Sequence, residues 1–121
     1  TFYGGMNATV ANNQIIDISK LVTLTKLDIL DSSYNSVSNL PEWPKDSMLR
    51  TIDGSYNQLQ SIDSLAGMEQ LCYVYMDYNK LTSVDALANN YRLVQVNVYG
   101  NDIGTVAELT AHDIIVNYDP T

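Results

Sequence analysis

At 121 residues, with 45% hydrophobic side chains and no low-complexity segment, the chain has the length and composition of one globular domain. Fourteen acidic against six basic residues give a formal charge of −8, which repels nucleic acid and anionic lipid and suits basic ligands. No apolar run approaches the roughly 18 residues of a membrane span, so membrane insertion is not expected, and no charged-then-apolar leader precedes the first repeat.

Asparagine recurs at Asn13, Asn35, Asn57, Asn79 and Asn101, always 22 residues apart. Two residues after each stand Ile15, Val37, Leu59, Leu81 and Ile103; five after, Ile18, Leu40, Ile62, Val84 and Val106; eight after, Leu21, Trp43, Leu65, Leu87 and Leu109. Leu71, Val74, Met76, Asn79, Leu81 and Val84 spell one leucine-rich repeat with conservative replacements. The expected fold is α/β: a right-handed solenoid, or horseshoe, with a parallel β-sheet on its concave face and short helical or 3₁₀ turns on the convex one. One such domain spans 1–121, as about five repeats plus a terminal strand at 114–118.

The first coil is thin, because Gly5 and Ala8 hold positions of large residues, and only Phe2 and Tyr3 are available to cover it. In the second coil Ser32, like Gly54 in the third, is small at an inward position where other coils place Val10, Met76 and Val98. Trp43 has the volume to fill that space, and close packing favours such an exchange over a void. Pro41 and Pro44 flank it and replace the helical turn by extended chain.

The fourth coil shows the strand most clearly. Val74 and Met76 point one way while Tyr73, Tyr75 and Asp77 point the other, the period of a half-buried strand. Over 83–90 the apolar residues Val84, Leu87 and Ala88 have the spacing of a short helical turn. Cys72 has no cysteine to pair with and reads as a small, partly buried residue. In the last coil His112 reads as a half-buried filler on the outer side. Ile114, Ile115, Val116 and Tyr118 form the terminal strand, with Ile115 in the buried leucine register and Asp119 and Pro120 ending it.

The asparagines Asn13, Asn35, Asn57, Asn79 and Asn101 are expected to form a structural ladder, since an amide both donates and accepts. A binding surface is expected elsewhere, on the outward strand positions. Tyr34, Tyr56 and Tyr78 precede successive asparagines and form a lateral row, joined by Tyr73, Tyr75 and Tyr99; Asp31, Asp53 and Asp77 lie among them. Tyrosine gives large contact area at low entropic cost, although it also favours strands for their own sake. Asp31 and Asp53 should stand side by side, which suits two solvated carboxylates or a basic partner better than a metal with so few ligands.

Catalysis has no support. His112 is the only histidine, and neither a metal-spaced cluster nor a glycine-rich phosphate loop is present, so no cofactor is expected. The triplet Asn7-Ala8-Thr9 matches a sugar-acceptor pattern that is common by chance.

Asn13 to Leu27, Asn-Gln-Ile-Ile-Asp-Ile-Ser-Lys-Leu-Val-Thr-Leu-Thr-Lys-Leu, closely resembles the 22-residue repeats of internalin-like bacterial surface proteins, and the resemblance runs from Asn13 to Leu109. It implies a secreted or wall-attached protein whose concave face binds a protein or carbohydrate. The helical amino-terminal cap and the immunoglobulin-like domain of that family are not in the sequence. Intracellular repeats that regulate phosphatases share the period, so an intracellular scaffold is the alternative, and a spacer that binds nothing is a third reading.

Overall fold

The computed structural model describes residues 6–23 and 26–119. Among these residues six strands form one all-parallel sheet in chain order: β1 (Met6–Thr9), β2 (Leu27–Asp31), β3 (Thr51–Asp53), β4 (Tyr73–Tyr75), β5 (Gln95–Val98) and β6 (Ile115–Tyr118). From β2 to β5 the partners lie one repeat apart, so Leu30, Ile52, Val74 and Val96 meet in a single inward row, all fully buried. That row stacks on Leu27, Leu49, Leu71 and Leu93 to make the continuous core of a repeat array, in which each coil buries its apolar side only against its neighbours.

On the opposite side the chain makes 3₁₀ turns at Ser19–Thr23, Asp63–Leu65 and Asp85–Leu87 and one short helix, α1 (Ala107–Thr110). Each of these follows a residue whose side-chain oxygen accepts the N–H two positions later: Asp17 from Ser19, Ser61 from Asp63, Ser83 from Asp85 and Thr105 from Ala107, at 2.8–3.2 Å. The second coil has Asn39 at that register, but the residue two later is Pro41, which has no N–H to give. The turn is absent there, and residues 36–44 form neither helix nor strand.

Several expectations need correction. Trp43 is buried as expected, at 4% exposure, but the side chain closest to Gly54 is that of Met76: a Cβ on Gly54 would stand 2.7 Å from Met76 Sδ and 3.1 Å from its Cε. A thioether one coil away is flexible enough to occupy such a gap. The indole Nε1 of Trp43 has no hydrogen-bond partner among the described residues. In the last coil Gln95 pairs with Ile115, a separation of 20 residues rather than 22, so Ile115 is 54% exposed and Ile114 is buried instead. Asp113, at φ 62°, closes the turn that leads from α1 into β6. His112 is exposed rather than half-buried, since among the described residues no further coil covers it. Phe2, Tyr3 and Gly5 lie outside the described residues.

The asparagine amides bond within and between coils. Asn57 shows the pattern: its Oδ1 accepts the Val37 N–H at 2.9 Å, while its Nδ2 donates to Ser32 O at 3.0 Å and to Gly54 O at 2.9 Å. Each amide therefore ties its own turn to the coil before it, and Asn35, Asn79 and Asn101 repeat the bonds. Asn13, at the exposed end, reaches only Val10 O and Ala11 O with its Nδ2.

A buried asparagine outside the ladder carries no signal in the repeat pattern. Asn90, on the outer side and 2% exposed, accepts the Gly67 N–H at 2.7 Å and donates to Leu65 O at 2.8 Å. Its equivalents one repeat away are Met68 and His112, so no periodic signal marks it.

Candidate functional site

The strands end at Asp31, Asp53 and Tyr75, three residues before the next tyrosine. Tyr34, Tyr56 and Tyr78 are therefore not strand residues, as expected from sequence, but belong to the turn that follows. Strict alternation would aim them inward, with Ile52 and Val74. A left-handed backbone reverses this: the residue before each ladder asparagine has positive φ, at Asn12 (63°), Tyr34 (57°), Tyr56 (58°), Tyr78 (57°) and Gly100 (68°). Asparagine and glycine take that conformation readily, while a tyrosine does so at a cost of roughly 1–2 kcal/mol.

The lateral bonds continue past the strands and hold these turns in step. The N–H of Tyr34 donates to Ser55 O, that of Tyr56 to Asp77 O and that of Tyr78 to Tyr99 O, at 2.7–2.9 Å. A ring repeated at one register is thus presented at about the interstrand spacing of 4.8 Å. Tyr34 and Tyr56 stack at 4.3 Å between centroids and 8° between planes; Tyr56 and Tyr78 stack at 4.7 Å and 19°. The series ends on Gly100, whose missing side chain admits the Tyr78 ring. Ring faces within the stack are covered by one another, so Tyr56 offers its edge and its hydroxyl. Loss of water around the Tyr56 phenol, followed by the Tyr34 phenol beside it, raises its pKa above the ordinary 10.0, so the hydroxyl stays protonated and able to donate.

Tyr73 and Tyr75 do lie on a strand, β4, on its outward face. Their rings are parallel to within 8° but stand 6.4 Å apart. Laterally, Tyr75 is flanked by Asp53 and Asn97, and Tyr73 by Thr51 and Gln95. Tyr99 is exposed and follows β5, its N–H donating to Asp77 Oδ1 at 2.7 Å.

The carboxylates share the face. Asp31 and Asp53 are register partners on β2 and β3, as expected. Each binds its own chain: Asp31 Oδ1 accepts the N–H of Ser33 at 3.0 Å and its hydroxyl at 2.6 Å, and Asp53 Oδ1 accepts the Ser55 N–H at 3.0 Å. Burial raises the pKa of Asp77 above the ordinary 3.8, and the charges of Asp53 and Asp119 add to this against the opposing Tyr99 N–H. Among the described residues the one ion pair is elsewhere, between Arg50 Nε and Asp28 Oδ1 at 2.7 Å, completed by a second bond from Arg50 Nη2 to Asp28 Oδ2. The predicted site residues thus separate into a stacked rail (Tyr34, Tyr56, Tyr78) and a more open strand face (Tyr73, Tyr75, Asp31, Asp53), with Asp77 and Tyr99 between them.

A parallel sheet lining one side, short turns on the other and an asparagine ladder at the corner define a leucine-rich repeat solenoid. Two crystal structures from Listeria monocytogenes str. 4b F2365 share this fold: internalin C2, at a TM-score of 0.81 and 24% identity over 92% of this chain, and the internalin inlF, at 0.80 and 22% over 93%. The chain spans 50% of the first and 35% of the second. No protein-family model and no curated protein matches it.

Proposed function

We propose that the chain is a non-enzymatic recognition module of a bacterial cell-surface or secreted protein, holding a protein or carbohydrate ligand on its tyrosine-rich, acidic concave face. The observation that carries this reading is the composition of one surface: Tyr34, Tyr56, Tyr73, Tyr78 and Tyr99 are 37–51% exposed, and the carboxylates among them have no ion-pair partner among the described residues. Exposed aromatic surface beside uncompensated charge is what a binding face presents before its partner arrives. The internalin fold supports the reading, since such sheets display a wide surface on a fixed frame. No helix among the described residues is long and apolar enough to cross a membrane.

The test is attachment to target cells by protein carrying Tyr56→Ala, Tyr75→Ala and Tyr78→Ala together. Loss of attachment with the fold retained by circular dichroism is the expected result. Unchanged attachment would identify the array as a spacer.

A further inference from the structure

The two tyrosine groups on this face differ in what they leave open. In the rail, each ring is covered by the next at 4.3–4.7 Å. Tyr73 and Tyr75 stand at 6.4 Å with near-parallel planes, so part of each ring face is uncovered by its partner, and their lateral neighbours Thr51, Asp53, Gln95 and Asn97 are not aromatic. Tyr75 also stands between two carboxylates: Asp53 is its register partner on β3, and Asp77 lies two residues further along its own chain.

We propose that this corner seats an arginine side chain of a basic polypeptide partner, its guanidinium laid against Tyr73 and Tyr75 and its N–H groups on Asp53 and Asp77. The inference rests on the recognition reading above and names the partner's chemistry. Charge complementarity selects it. The chain carries a formal charge of −8, and on this face Asp31, Asp53, Asp77 and Asp119 have no cation among the described residues. A cation relieves the repulsion that Asp53 and Asp119 exert on Asp77, whereas a neutral glycan does not. Planarity selects arginine over lysine: a guanidinium stacks on an aromatic face and bonds a carboxylate through its fork, which an ammonium cannot do. The carboxylates are already oriented, because Asp53 Oδ1 is held by the Ser55 N–H and Asp77 Oδ1 by the Tyr99 N–H, leaving the second oxygen of each for the ligand.

The experiment is a fluorescence anisotropy titration of labelled oligo-arginine and oligo-lysine peptides of equal length at physiological salt. Oligo-arginine is expected to bind about two- to fivefold more tightly than oligo-lysine. Tyr75→Ala should abolish that preference, Tyr75→Phe should keep it, Asp77→Asn should weaken both peptides, and Tyr91→Ala, on the outer side, should change nothing. Equal affinity for the two peptides, or a preference that survives Tyr75→Ala, would reduce the corner to bulk acidity and overturn the proposal. So would tighter binding of a neutral oligosaccharide that displaces oligo-arginine from the wild-type protein. If the peptides fail while the triple tyrosine variant still loses cell attachment, the arginine seat falls and the recognition role stands.

Discussion

The ring of Tyr78 packs against the α-carbon of Gly100 so closely that a Cβ there would stand 2.6 Å from Tyr78 Cε1 and 2.8 Å from Cγ. Gly100 also holds φ at 68°, so two independent demands fall on one residue. Gly100→Ala should lower stability by about 1–3 kcal/mol, from left-handed strain and from displacement of the ring. Urea unfolding measures it. A loss of only a few tenths would mean that the tyrosine stack does not rest on this glycine.

The asparagine ladder predicts a gradient along the array. Asn57 is buried and bonded to two coils, so Asn57→Ala leaves the Val37 N–H and the Ser32 carbonyl without it and should cost about 1–3 kcal/mol. Asn13 is exposed, and water can replace its two side-chain bonds to Val10 and Ala11. Asn13→Ala should cost less than about 1 kcal/mol. Denaturant midpoints for the two variants decide the matter: equal losses would mean that bridging between coils adds nothing.

The ladder was legible because only a side chain that donates and accepts can serve two coils at one point, and its spacing is fixed by the coil length. The left-handed turn before it was half legible. Asn12 and Gly100 are the residue types that turn requires, yet Tyr34, Tyr56 and Tyr78 occupy the same register and conceal it. The result was a strand drawn too long, with the right residues outside for the wrong reason. The close neighbour of Gly54 could not be read either: Met76, at the same register one coil on, lies against it.

Three tyrosines held at positive φ are strained, and such strain persists only where surroundings enforce it. The lateral backbone bonds hold the same turn at Asn12, where no ring stacks, and at the tyrosines the stack adds a contact to them. A double-mutant cycle on Tyr34→Ala and Tyr56→Ala should therefore give a favourable coupling of about 0.5–1.5 kcal/mol. Zero coupling in thermal unfolding would mean that the rings are adjacent without supporting one another.

Asp77 should make stability and binding pull in opposite directions. Its folded-state pKa lies above the ordinary 3.8, chiefly through burial and then through the charges of Asp53 and Asp119. The folded chain thus takes up this proton more readily than the unfolded chain, and stability falls as pH rises from the ordinary value through the raised one, staying reduced above it. Asn at this position can still accept the Tyr99 N–H without carrying the charge. Asp77→Asn should therefore raise the melting temperature at neutral pH, by a stabilisation below about 1 kcal/mol for a partly exposed group, with no gain at a pH below the ordinary value. The same substitution should weaken oligo-arginine binding. A variant less stable at neutral pH than the parent would make the carboxylate a structural anchor. A more stable one that binds less would mark a charge kept for a partner at the expense of the fold.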